Sequence, residues 1–219
     1  MTDVVTREVM RFGPIDVAFD DTVLRPRPWT LAQSQWAAEL AEGGTMLEVG
    51  CGAGQIGLAA AALSGCPLVQ VDRDPAACRW AGVNAAANGY GHLVEQRCGT
   101  AGEVLAGHEQ FVLVIADPPY VRSAEVHLYP EDPQRAIDGG LDGLAIVRNV
   151  LIDVAGHVRP GGSVVLQVRG PAQVELLGGW LAHPSSPELV LTEARSYGDH
   201  RALVRLVAPR RYRTTAGAA

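Results

Sequence analysis

Four consecutive residues, Asp117-Pro118-Pro119-Tyr120, carry groups that could hold a nitrogen atom for reaction. Asp117 precedes a proline, which keeps its backbone extended. The two prolines remove two N–H donors and leave their carbonyls as acceptors. An NH₂ group could then give one hydrogen to the Asp117 carboxylate and one to the Pro118 carbonyl, with the Tyr120 ring packed beside it. So held, the nitrogen lone pair points along a single axis, and positioning of this kind supplies much of the rate of a group transfer. A rigid loop with an exposed acid is the plain alternative for the same four residues.

The second cluster is Glu48-Val49-Gly50-Cys51-Gly52-Ala53-Gly54. Its glycines permit a sharp turn and the close approach of a ligand, and a helix after them would present free N–H groups and a positive dipole end. Gly52-x-Gly54-x-x-Gly57, with Asp72 about 20 residues after the glycines, also fits a dinucleotide fingerprint, which leaves a nicotinamide-dependent oxidoreductase open. Glu48 argues the other way. A carboxylate at the mouth of the strand would repel a pyrophosphate, but it suits the ammonium and sulfonium of S-adenosylmethionine. Asp72 can accept from both hydroxyls of a ribose. Cys51 between the glycines, Arg73 after Asp72, and Cys98 fall in the same predicted cofactor site, as does Asp117. Gln96-Arg97-Cys98-Gly99 offers no acid for an adenine, so backbone groups serve there.

These residues need elements to position them. Met46–Val49, Leu68–Val71, Leu93–Gln96, Phe111–Ala116 and Ser163–Val168 read as strands, mostly as continuous apolar runs. Helices follow the glycine turn to about Leu63, run from Pro75 to near Gly89 behind the N-cap Asp74, and cover Leu144–Val154 and Ala172–Leu181. Thr30-Leu31-Ala32-Gln33 has a capping-box pattern that opens a further helix. Two strands are expected within Ile15–Leu24 around Asp20-Asp21, and two more near Leu189–Thr192 and Ala202–Val207, flanking Gly198-Asp199. Strand and helix alternate, so the core is a parallel sheet covered on both faces, a doubly wound α/β fold. Residues 117–140 form a long loop. Within it Arg122, Glu125, His127, Tyr129 and Asp132 are too polar for a core strand and are candidates to choose the substrate.

The chain has 219 residues and a formal net charge of −6, enough for one domain and with no obvious basic face, so nucleic acid is not the expected partner. Arg201, Arg205, Arg210, Arg211 and Arg213 read as a solvated strand edge and tail. Four cysteines without paired spacing, and six scattered histidines, give no metal site. With neither signal peptide nor membrane span in view, a cytoplasmic protein is expected. The expected layout is one domain: a loose arm over 1–11, an entry segment over 12–28, a core over 29–207 and a tail over 208–219.

The chain resembles the release-factor glutamine N5-methyltransferases and related amino-methyltransferases. Beyond the two clusters, the likeness is carried by Val23-Leu24-Arg25-Pro26-Arg27-Pro28, Asp138-Gly139-Gly140-Leu141-Asp142-Gly143-Leu144, Arg159-Pro160-Gly161-Gly162, Gln173 and Gly198-Asp199-His200-Arg201. It implies a Rossmann-like, seven-stranded, mostly parallel sheet, the class I methyltransferase fold, with the last strand antiparallel. It implies S-adenosyl-L-methionine as cofactor, held by Glu48, Gly50, Gly52, Gly54 and Asp72, with acceptor binding at Asp117, Pro118 and Tyr120. The departures are as informative. Glutamine-modifying members carry Asn where this chain has Asp117, and an ionised Asp can only accept. Trp29 replaces a usual Glu, and there is no room for the N-terminal helical domain of the bacterial enzymes. The expected acceptor is therefore a small molecule or amino-acid derivative bearing an amine, amide or guanidine, bound with help from Trp29, Arg122, His127 and Tyr129. A protein glutamine is the main alternative, then a nucleobase amino group, then a non-catalytic cofactor-binding protein.

Overall fold

The computed structural model describes residues 7–210. Residues 1–6 of the expected arm and residues 211–219, with Arg211 and Arg213, lie outside the described residues. The chain opens with a hairpin, β1 (Glu8–Phe12) and β2 (Ile15–Phe19). It turns at Gly13 and pairs Phe12 with Ile15, so the strands lie earlier than the sequence suggests. The Asp20-Asp21 turn follows the hairpin instead of dividing it. β1 also occupies part of the expected loose arm.

The core alternates α1 (Leu31–Leu40), β3 (Met46–Val49), α2 (Gln55–Ser64), β4 (Leu68–Asp72), α3 (Pro75–Ala87), β5 (Val94–Cys98), α4 (Ala101–Val104) and β6 (Phe111–Ala116). After the long connection, which holds a 3₁₀ segment at Ser123–Leu128 and the short α5 (Gln134–Ile137), come α6 (Ala145–Val154), β7 (Val158–Val168), α7 (Gly170–Leu181), β8 (Val190–Ser196) and β9 (Ala202–Val207). The sheet order is β5-β4-β3-β6-β7-β9-β8, parallel from β5 to β7, with β9 antiparallel to both of its neighbours. This is the expected seven-stranded doubly wound sheet with its final strand reversed.

Strand alternation sorts the core into two layers. Leu113, Ile115 and Val165 face Trp36, Ala37, Ile56 and Ala60 of α1 and α2. Val114, Ala116, Val164 and Leu166 face Leu144, Val147, Leu151 and Leu177 beside α6 and on α6 and α7. β3 lies between β4 and β6, where the winding reverses, so the carboxyl ends of the central strands open a crevice there. The capping box expected at Thr30 does not form: its hydroxyl donates to the Arg27 carbonyl, 2.8 Å away. Gln33 is fully buried and donates to the carbonyls of Ala116 (2.9 Å) and Val165 (3.1 Å), tying the end of β6 to β7. A capping box does form at Thr100 and Glu103.

Candidate active site

Two chambers occupy the crevice and share Asp117, Pro118, Pro119, Gln55 and Leu24 in their walls. The larger, about 380 Å³, is lined by Val49–Ala53, Asp72–Asp74 and Gly99–Ala101, the loops after β3, β4 and β5. Gly50 (φ 71°) and Gly52 (φ 55°) take left-handed conformations, and a Cβ on either would project into open space. The chain thus leaves a cradle free of side chains along this wall. Asp72 faces the chamber while its two oxygens accept from the N–H groups of Gly52 and Asp74, each at 2.9 Å. Each oxygen keeps a further lone pair for a ligand hydroxyl. Burial pushes the Asp72 carboxyl up, against the pull of those two backbone bonds. An adenosyl group with a ribose fits this donor and acceptor set, and Cys51 and Arg73 line the same wall as expected.

Two expected cofactor residues are placed elsewhere. Glu48, 3 % exposed, does not line the chamber. Its carboxylate accepts from Gly57 N–H (3.0 Å) and Gln70 Nε2 (2.6 Å), so it braces the glycine loop from behind. Burial raises its pKa to about 7 despite those bonds, with Asp72 and Asp117 adding repulsion. Gln70 also donates to the Gly54 carbonyl and accepts from Gln96, extending the brace across β4 to β5. Cys98 is exposed and off the wall because it closes β5, opposite Asp72; the chain turns into the chamber only at Gly99. Asn84 fastens the loop to the hairpin, donating to the carbonyls of Ala53 and Ala18 and accepting from Ala18 N–H. Nothing in a lone mid-helix Asn signals that role.

The smaller chamber, about 220 Å³, is lined by Asp117, Pro118, Pro119 and Tyr120 and by Arg25, Arg27, Trp29, Tyr129, Asp132, Gln167, Arg169 and Arg201. Asp117 makes no hydrogen bond among the described residues, and burial raises its pKa to about 7, opposed only by Arg27. The Pro118 carbonyl likewise meets no donor among the described residues. Tyr120 is held at both ends: its hydroxyl accepts from Gln167 Nε2 (2.8 Å) and its carbonyl from Gln173 Nε2 (2.9 Å). A Cβ on Gly143 would stand 2.4 Å from the Tyr120 carbonyl oxygen, so the Gly-rich stretch after α5 packs directly on the motif backbone.

Of the expected substrate residues, Trp29 and Tyr129 line this chamber; Arg122 and His127 do not. The 3₁₀ turn points them outward, Arg122 toward an ion pair with Glu125 at 3.1 Å. Four arginines from three distant segments converge here, and Arg25 is paired with Glu8. Arg27 pairs with Asp132 and Arg169 with Glu125, while Arg201 lies over the Trp29 ring, 5.3 Å from its centroid. Their separation along the chain hides this cluster from any local reading of charge. Among the described residues, no group of three or more His, Cys, Asp or Glu could hold a metal ion, and no helix is long and apolar enough to cross a membrane.

Residues 33–130 match the family described as methyltransferase small domain. The release factor glutamine methyltransferase of Gloeobacter violaceus is 36 % identical over 175 residues, 74 % of this chain and 61 % of that protein. The enzyme of the same name from Rhodospirillum rubrum is 34 % identical over 178 residues, 78 % of this chain and 54 % of that protein. The chain thus spans 54 % to 61 % of the length of these relatives. Among solved structures, the RNA methyltransferase of Salinibacter ruber in complex with S-adenosyl-L-homocysteine superposes with a TM-score of 0.57 at 18 % identity, covering 90 % of this chain and 100 % of that one. The ribosomal protein L11 methylase of Lactobacillus delbrueckii gives 0.62 at 16 % identity, covering 86 % and 82 %.

Proposed function

From a chain with the class I methyltransferase fold that resembles the release factor glutamine methyltransferases over most of its length, we propose an S-adenosylmethionine-dependent N-methyltransferase acting on a macromolecule. Its acceptor is a planar NH₂, first of all a protein side-chain amide of the glutamine type. The observation that carries this reading is the Asp117 carboxylate, free of protein partners on the wall common to both chambers. The small free amine or guanidine expected from an Asp at this position is set aside, because the relatives at 36 % and 34 % identity are named for a protein substrate.

Gly50–Gly54, Asp72 and Gly99–Ala101 would hold the cofactor, which supplies an activated methyl group when bound. Asp117 and the Pro118 carbonyl each take one hydrogen of the acceptor NH₂ and fix the direction of its lone pair. As the N–CH₃ bond forms, the nitrogen must lose a proton. The Asp117 carboxylate can accept that proton, and with a pKa of about 7 it is poised for the task near neutral pH. Tyr120, locked by Gln167 and Gln173, forms the side wall.

A second reading, a base amino group of RNA, is favoured by the arginines around the smaller chamber, which could face phosphates. The deciding experiment incubates the purified chain and tritiated S-adenosyl-L-methionine with a purified bacterial release factor and, separately, with total RNA. Label on a glutamine of the protein supports the first reading, and label confined to RNA supports the second. Label on neither, with free amines methylated instead, overturns both.

A further inference from the structure

Gln55 opens α2 directly after the glycine loop and lines both chambers. Its Oε1 is buried with no hydrogen-bond partner, and its Nε2 makes no hydrogen bond among the described residues. The buried Oε1 costs about 1–3 kcal/mol unsatisfied, while the Nε2, which is not buried, stands on the wall of both chambers as a donor that no described protein group uses.

The proposed acceptor lacks one partner in the site as described so far. A primary amide offers two N–H donors and a carbonyl acceptor. Asp117 and Pro118 satisfy the donors, and neither can donate to the carbonyl while Asp117 is ionised. Three of the four arginines nearby are held in ion pairs, Arg25 by Glu8, Arg27 by Asp132 and Arg169 by Glu125. Building on the function proposed above, we infer that Gln55 recognises the acceptor amide, its Nε2 donating to the acceptor carbonyl while Asp117 and Pro118 hold the NH₂. Gln55 supplies from the glycine loop the donor that an Asn in place of Asp117 would supply from the tetrapeptide. It is a positioning and specificity residue; the proton moves to Asp117. Two competitors remain on the chamber wall: the Tyr120 hydroxyl, which accepts from Gln167 and still has a proton to give, and Arg201, which has no ion pair among the described residues.

The test compares wild type with Gln55→Leu, Gln55→Glu, Tyr120→Phe and Arg201→Ala, using a purified release factor as acceptor and calorimetry with S-adenosyl-L-homocysteine. Gln55→Glu keeps the shape and loses the donor, which covers a failure of the Leu variant to fold. Both Gln55 variants should raise KM for the acceptor about ten-fold, the size of one hydrogen bond to a neutral group, with S-adenosyl-L-homocysteine affinity within about two-fold of wild type. Adding Asp117→Asn to Gln55→Leu should recover most of the loss, because the Asn restores a donor; a merely structural Gln55 would show no such rescue. A drop in S-adenosyl-L-homocysteine affinity with an unmoved acceptor KM would make Gln55 a cofactor group and overturn the inference. So would a KM effect confined to Tyr120→Phe or to Arg201→Ala. If wild type labels no glutamine at all, the functional reading has failed and takes this inference with it.

Discussion

The larger chamber is walled by three loops at the ends of neighbouring parallel strands, Val49–Ala53, Asp72–Asp74 and Gly99–Ala101, and much of its surface is backbone. The smaller chamber is walled by side chains from segments far apart in the chain, among them Arg27, Trp29, Tyr129, Gln167, Arg169 and Arg201. The first is braced from behind by buried groups, Glu48, Gln70 and Asn84, whose bonds run to backbone atoms or to each other. The second is braced by ion pairs between its own wall residues and the connection after β6. A backbone cradle suits a ligand that never changes, and a wall of side chains can be re-cut for a different acceptor without disturbing the cradle. On this division, cofactor affinity and acceptor turnover should separate under mutation.

The largest effect is expected at the junction. Asp117→Ala should lower turnover by about 10²–10³, as for other lost transition-state contacts, while S-adenosyl-L-homocysteine affinity by calorimetry stays within a few-fold. Parallel losses in both quantities would break the separation. Asp117 also predicts a pH limb: its carboxylate must be ionised to accept, so turnover should rise with pH through about 7. Asp117→Asn should erase that limb and, having lost the proton acceptor, should lower turnover while the KM of an amide acceptor stays near that of wild type.

Next comes the brace of the larger chamber. The Glu48 carboxyl has its pKa raised from 4.5 to about 7, so the folded state holds a proton that the unfolded chain releases. Its contribution is fully present below pH 4.5 and is lost as pH rises to about 7, a difference of about 3 kcal/mol. Urea titrations at pH 5 and pH 8 should show that part of the decline in wild type and not in Glu48→Gln. Equal slopes in the two proteins would show that Glu48 titrates normally.

Asp72→Ala should weaken S-adenosyl-L-homocysteine by about 1.5–3 kcal/mol through lost charge-assisted hydrogen bonds, and leave the KM of the acceptor little changed. Unaltered calorimetric affinity would remove Asp72 from the cofactor wall. The smallest effect is expected at the rim. Arg201 is exposed and meets only the Trp29 ring among the contacts described, so Arg201→Ala should change acceptor KM by a few-fold, more at low salt than at high. A change in cofactor affinity instead would place the boundary between the chambers wrongly.

Much of the larger chamber could be read from the sequence, because its chemistry sits in consecutive residues. Gly50 to Gly54 follow an apolar strand and precede a helix, and Asp72 ends the next strand; local sterics and strand ends determine such features. Asp117-Pro118-Pro119-Tyr120 was legible for the same reason, as was the alternation that makes a doubly wound sheet. What consecutive residues cannot show is direction and convergence. Glu48 has the right charge at the right place in the chain, but the pleat points it into the helix behind the loop, where Gly57 and Gln70 claim it. Gln33 has capping-box spacing, yet the buried carbonyls of Ala116 in β6 and Val165 in β7 compete for its amide and win. Arg27, Arg169 and Arg201 look like scattered surface charge until β7, β9 and the segment before α1 are brought to one end of the sheet. Local steric and capping preferences act within a few residues and are written in the sequence. The smaller chamber is decided by strand order, which sets distant residues side by side.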